Sequence, residues 1–194
     1  MRITPVISNS LSSNAYVISG ERCVIDPGLG SVDYGISTDE VNVVLLTHNH
    51  YDHSANAGKF PNATVYVHEK DLPSLASGEG IYAEFCGKKP EPVQARPLPK
   101  KICGLKVIHT PGHTPGSVCF LDKKEKALLS GDTVFADGVG RTDLAGGNER
   151  ELLKSLRKIS SLPFEHLLPG HGSIGNKKSA IEGLHFLNML DNRR

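Results

Sequence analysis

The segment Thr47-His48-Asn49-His50-Tyr51-Asp52-His53 constrains this chain more than any other part of it. It closes a continuous apolar run, VNVVLLT at 41–47, of the kind that forms a strand covered on both faces. Side chains alternate faces in extended backbone, so His48 and His50, two apart, point the same way. Asp52 and His53 fall where the chain turns into a helix, and adjacent residues diverge there. One short segment thus presents two pairs of ligands to two adjacent metals. Neutral imidazoles with a carboxylate are the ligands expected of zinc or a similar first-row ion.

Three more candidate ligands close other apolar runs. They are His113 in Pro111-Gly112-His113, Asp132 in Ser130-Gly131-Asp132 and His171 in Pro169-Gly170-His171. The glycine before each permits a tight turn that exposes the next side chain. Loops at strand ends are where a rigid scaffold gathers ligands from distant sequence. The remaining histidines, His68, His109, His166 and His185, lack such a turn and are read as having no part in metal binding. The spacing places His109 and His166 within strands and His185 on the last helix.

The rest of the chain reads as strands and helices in two rounds. Strands are expected over 3–7, 14–19, 23–26, 41–47 and 64–67, with a short helix from Ser54 and another over 69–76. Residues 77–101 are rich in Gly, Pro and Lys and read as a long surface loop, a kind that is often functional. Strands over 105–110, 117–121, 127–130 and 166–168 follow. A helix over 150–160 carries Leu152, Leu153, Leu156 and Ile159 on one face, and a helix over 177–190 carries Ile181, Leu184, Leu187 and Leu190. The order suggests two α/β halves packed sheet to sheet in a single domain, 1–194.

Composition narrows the function. The formal net charge is +1, and the lysine pairs at 88–89, 100–101, 123–124 and 177–178 are scattered, which argues against a nucleic-acid partner. The four cysteines form no C-x-x-C pair, so reduced thiols are expected rather than a zinc ribbon or a disulfide framework. The N-terminus lacks a basic patch followed by an apolar segment, and no apolar run approaches the ~20 residues that span a bilayer. A cytoplasmic protein without membrane association is the expectation.

Taken in order, Asp26-Pro27-Gly28, HNHYDH, HTPGHTPGS at 109–117, SGDT at 130–133 and LPGHG at 168–172 resemble the metallo-β-lactamase superfamily over nearly the whole chain. The resemblance implies a four-layer αββα sandwich. It implies His48, His50 and His113 as ligands of one metal and Asp52, His53 and His171 as ligands of a second. Asp132 would be the bridging carboxylate and Asp26 a structural aspartate that orients a ligand from behind. Two divalent ions are expected, zinc first, with iron or manganese accepted by the same set.

A finer resemblance lies in Gly140-Arg141-Thr142-Asp143-Leu144 followed by Gly146-Gly147-Asn148, which is similar to glyoxalase II-like hydrolases of the short bacterial type. These act on acyl-glutathione thioesters. Arg141 and Asp143 are expected as a buried pair fixing the loop beside the site. Full-length glyoxalase II has a C-terminal helical extension that helps to hold glutathione; here residues 172–194 alone follow His171, so a broader small-molecule thioester is expected. The implied chemistry is attack on the acyl carbonyl by a hydroxide shared between two ions roughly 3.5–4 Å apart, with Asp52 orienting it. The alternative is a persulfide dioxygenase, which the same segment also resembles, with one iron held by His48, His113 and Asp132.

Overall fold

A computed structural model describes residues 2–8, 11–88 and 90–191, with the side chains of Leu190 and Asp191 outside that description. The first sheet has six strands in sequence order: β1 (Ile3–Val6), β2 (Ala15–Ile18), β3 (Cys23–Ile25), β4 (Val43–Leu45), β5 (Thr64–Val67) and β6 (Arg96–Pro97). The second runs β12-β11-β10-β9-β8-β7, from β7 (Lys101–Ile102), β8 (Leu105–His109), β9 (Val118–Asp122) and β10 (Ala127–Gly131) to β11 (His166–Pro169) and β12 (Gly175–Asn176). Both sheets are mixed: β3 to β6 pair in parallel, as do β10 and β11, and the other pairs are antiparallel. Four α-helices are described: α1 (Tyr51–Ser54), α2 (Leu72–Ser77), α3 (Glu149–Ser160) and α4 (Lys177–Asp191).

The four layers follow from the period of two along each strand. Tyr16, Ile18, Cys23, Ile25 and Leu45 turn inward and meet Leu105, Val118, Phe120, Ala127, Leu129 and Leu168 of the other sheet. Their alternates turn outward. Ala15, Val17, Val24, Val44 and Leu46 pack under Phe60 and Leu75, while Ile108, Cys119, Leu121, Leu128 and Leu167 pack under Leu152, Leu156 and Ile159 of α3 and Leu187 of α4. The apolar run at 41–47 is therefore covered on both faces, as its composition predicts. The fold is a four-layer αββα sandwich, the architecture that the sequence resemblance implies.

Several boundaries differ from the sequence expectation, each for a local reason. The helix expected from Ser54 is instead the single turn α1, because His50, in extended conformation, already serves as its N-cap. The helix expected over 69–76 starts at Leu72, where a proline in the first turn gives up no needed donor. Asn148 caps α3 by accepting from the Glu151 amide, 3.0 Å. On α4, Leu184 and Leu187 pack on the core as expected, but Ala180 takes the place expected of Ile181, which is exposed. Leu190 of the expected face, like Lys89, falls outside the described side chains. Loop 77–101 is not structureless: it holds a 3-10 turn over Ala83–Cys86 and the edge strand β6. Among the lysines, Lys101, Lys106, Lys123 and Lys124 line one surface hollow with Arg2, because the β7–β8 and β9–β10 turns are neighbours. No helix among the described residues is long and apolar enough to cross a membrane.

Phe120 has no exposed surface and fills the layer between the sheets. Phe120→Ala is expected to lower the unfolding free energy by about 3–5 kcal/mol, read from the denaturant midpoint. A loss under about 1 kcal/mol would mean that the sheets close over the gap.

Candidate metal centre

All seven predicted donors gather at one end of the sandwich, where β3, β4, β8, β10 and β11 end. Three overlapping groups have ligand atoms within 4.8 Å of one another: His48, His50 and His113; His48, His53 and Asp132; and Asp52, His53 and His171. The groups share His48 and His53, so they form one continuous cluster. His68, His109, His166 and His185 belong to none of them. His68 and His109 stack on each other instead, ring centroids 4.1 Å apart.

Three of the five rings, His48, His53 and His113, are held by their outer nitrogen. Asp26 ends β3 at a φ of 48°, a left-handed conformation unusual for a non-glycine residue. Its Oδ1 accepts from the Thr47 amide at 2.7 Å, and its Oδ2 accepts from the Thr47 hydroxyl at 2.7 Å and from His53 Nδ1 at 2.9 Å. With that proton fixed outward, the lone pair of His53 Nε2 faces the cluster. The Thr47 hydroxyl spends its proton on Asp26, so at 3.1 Å it accepts from His48 Nδ1, which likewise turns His48 Nε2 inward. His113 Nδ1 donates to the carbonyl of Arg141 at 2.8 Å.

The inward atoms crowd. His113 Nε2 is 2.9 Å from His50 Nδ1 and 3.5 Å from Asp132 Oδ2. His171 Nε2 is 2.9 Å from Asp52 Oδ2 and 3.3 Å from His53 Nε2. Asp132 Oδ1 lies 3.2 Å from His53 Nε2, and Asp132 Oδ2 lies 3.6 Å from His171 Nε2. His48 Nε2 is buried without a hydrogen-bond partner, and Asp132 Oδ1 has none beyond the 3.2 Å ion pair with His53. A buried acceptor left unpaired costs about 1–3 kcal/mol, so His48 Nε2 points to a ligand that accepts its lone pair. A divalent cation fits that requirement and the mixed imidazole–carboxylate set.

Protonation is consistent with this. Burial and then the neighbouring imidazoles hold His48 well below its ordinary pKa, and burial with His113 pushes His50 down to about 3. Both are neutral at pH 7, the form that binds metal. Burial opposes ionisation of Asp132, but His53 and the other imidazoles outweigh it and hold the carboxyl below its usual range. At His53 the order reverses. Burial lowers its pKa, and the three carboxylates of Asp132, Asp26 and Asp52 raise it well above 6.5. Without a cation, a proton on His53 is what offsets the surrounding negative charge.

The glycines do more than permit turns. A Cβ on Gly170 would run into Asp132 Oδ1 and stand 2.7 Å from His53 Cε1. The backbone there must pass close enough to touch two donors. Gly131 sits at a φ of 48° against the Thr47 side chain, just after a register shift between β10 and β11 that aims Asp132 inward.

Two residues that the sequence reading passed over hold the donor loops together. Asp71, buried at the start of α2, accepts from the Asn49 amide between His48 and His50 at 3.1 Å. It also accepts from the Thr114 hydroxyl at 2.8 Å and the Gly116 amide at 2.7 Å. Burial pushes its carboxyl up, against hydrogen bonds that favour the anion. Asn14 donates to the carbonyls of Pro169 and Gly172 around His171, at 3.1 and 2.9 Å. Neither sits beside a Gly-His or Gly-Asp turn, so spacing gave no sign of them. The signal available was a polar residue next to apolar strands. Arg141 and Asp143 do pair, at 2.7 and 2.8 Å, but they are not buried: their side chains are 55% and 66% exposed. The turn carrying them stands at the mouth of the site, where solvent reaches both. It is the Arg141 carbonyl, not its side chain, that holds His113.

The sequence pattern described as the metallo-beta-lactamase superfamily matches residues 9–171. The chain belongs to that superfamily. Among superfamily relatives, a probable metallo-hydrolase of Methanocaldococcus jannaschii is 32% identical over 189 residues, 86% of this chain and 90% of its own length. A hydroxyacylglutathione hydrolase of Francisella philomiragia is 34% identical over 168 residues, 80% of this chain but 61% of that protein. The crystal structure of TTHA1623 in a di-iron-bound form superposes with a TM-score of 0.81 at 32% identity, covering 94% of this chain and 99% of that one.

Asp26→Asn removes the anion behind His53 at nearly constant volume. Zinc affinity is expected to fall about 10–100-fold, measured by competition with a chromogenic chelator; unchanged affinity would disconnect Asp26 from the site. Asp71→Ala leaves buried donors on both donor loops unpaired. It is expected to cost at least about 2 kcal/mol in denaturant unfolding.

Proposed function

We propose that this chain is a metal-dependent hydrolase whose substrate is an acyl thioester. The observation that carries the reading is the single cluster of inward-facing donors, with His48 Nε2 buried and unpartnered, beneath an open cavity. In this reading His48, His50 and His113 hold one divalent cation, and Asp52, His53 and His171 hold a second. Asp132 stands between the two sets. Two such cations would supply Lewis acidity, which lowers the pKa of bound water towards 7 and offsets charge on a carbonyl oxygen. Zinc is the proposed ion, and the di-iron form of a 32%-identical structure makes iron the specific alternative.

The chain's own residues do the rest. Asp52, 25% exposed and paired with His171, is the carboxylate best placed to orient an attacking water. Asp26 and the Arg141 carbonyl keep His53 and His113 in the tautomers that leave Nε2 free. Hydrolysis forms the acyl C–O bond and breaks the C–S bond. The sulfur departs as a thiolate, a good leaving group, so no dedicated general acid is required. The likeness to the F. philomiragia enzyme supports a thioester over other substrates.

The second reading, oxidation of a persulfide at one iron on His48, His113 and Asp132, draws support from the likeness to ETHE1 from Myxococcus xanthus, 25% identical with a TM-score of 0.66. Metal analysis and oxygen uptake separate the two. Zinc-loaded protein is expected to hydrolyse thioesters without consuming oxygen. His50→Ala and Asp132→Ala are each expected to lower that turnover by at least about 100-fold while the circular dichroism spectrum stays that of the wild type. One iron per chain with oxygen consumption on a persulfide would replace the hydrolase reading.

A further inference from the structure

The cavity above the donors has a volume of about 230 Å³, and its lining divides by chemistry. Its floor is His50, Asp52, His113, Asp132 and His171, and its wall is Leu11, Tyr82, Phe85 and Leu144, with Cys86 and Arg141 completing the rim. Leu11 and Phe85, 71% and 62% exposed, are the two most exposed large apolar side chains among the described residues, and both line this one cavity. Exposed apolar residues scattered singly need no explanation, but a contiguous set at the mouth of a polar-floored cavity marks a ligand surface.

The wall is built rather than incidental. Tyr82 holds a left-handed backbone at a φ of 61°, an uncommon state for an aromatic residue and one that clusters at functional sites. Its ring meets His50 edge-on at 5.1 Å and stacks on Phe85 at 5.5 Å, 18° from parallel. Its hydroxyl donates to the Ala145 carbonyl at 3.3 Å, so the ring spans from the segment after α2 to the segment before α3. That bond commits the hydroxyl proton. Arg141 is matched by Asp143 through two hydrogen bonds. The wall therefore offers an apolar acyl group a broad face in Leu11, Tyr82, Phe85 and Leu144. A cavity of roughly 150 Å³ suffices for a benzene-sized ring, so this one has room for a ring and a carbonyl.

We propose that the thioester substrate carries an aromatic or comparably flat apolar group on its acyl side, seated against Tyr82, Phe85 and Leu144. This rests on the thioesterase reading. It is tested on metal-loaded full-length protein with phenylacetyl, acetyl and 2-hydroxypropionyl thioesters of one thiol, N-acetylcysteamine. The phenylacetyl ester is expected to exceed both others in kcat/KM by at least about 10-fold. Phe85→Ala, at an exposed position that the fold does not need, is expected to remove most of that advantage through KM rather than kcat. Equal rates for the three esters, or a preference that survives both Phe85→Ala and Tyr82→Ala, would overturn the proposal. Titration calorimetry with phenylacetate and acetate decides it independently of turnover. Tighter phenylacetate binding that Phe85→Ala abolishes upholds the apolar subsite even if no thioester is cleaved, a result that would count against the thioesterase reading alone. Equal binding of the two carboxylates would remove the subsite.

Discussion

A buried carboxylate, Asp26, is the point on which the site depends. It accepts three hydrogen bonds, two from Thr47 and one from His53, and so ties the end of β3 to the loop that leaves β4. Each bond has a consequence inside the site. The proton on His53 Nδ1 is fixed outward, and the Thr47 hydroxyl, having given its own proton away, fixes the proton of His48 outward as well. Two donors thus receive their tautomers from one anion. Burying that anion is tolerable because all its neighbours donate to it, and a divalent charge on the far side of the rings would favour it further.

The second constraint is that the donors come from both sheets. His48, His50, Asp52 and His53 leave the first, and His113, Asp132 and His171 leave the second, so donor spacing is only as good as the register between the sheets. The apolar layer from Tyr16 to Leu168 sets that register coarsely. Polar ties refine it at the donor end. Asp71 binds the loop of His48 and His50 to the loop after His113, and Asn14 and Tyr16 bind β2 to the Pro169 carbonyl. Close packing resists small deformations, and hydrogen bonds of 2.7–3.1 Å leave little slack.

Above this rigid floor the walls come from the least regular parts of the chain. The stretch from Tyr82 to Cys86 forms no more than a 3-10 turn, and the turn from Gly140 to Leu144 lies outside any strand or helix. They are joined across the cavity by the Tyr82 hydroxyl. The division is physically reasonable: chemistry needs fixed distances, whereas substrate fit can be altered by exchanging exposed side chains that the core does not use.

Read alone, the sequence determined which side chains gather at the donor end of the sandwich. HNHYDH, the two Pro-Gly-His turns and Ser-Gly-Asp each announce themselves locally, by ligand chemistry at the close of an apolar run. The layered architecture was equally legible, since alternation along strands and periodicity along α3 are local properties. Tertiary structure alone decided the rest. It placed Asp71 and Asn14 behind the donors, left Arg141 and Asp143 in solvent, buried Ala180 of α4 in place of Ile181 and set Phe85 over the cavity. Those outcomes depend on which segments meet across space, and a hydrogen bond between residues 45 apart, such as Gly116 to Asp71, leaves no periodic trace in the chain.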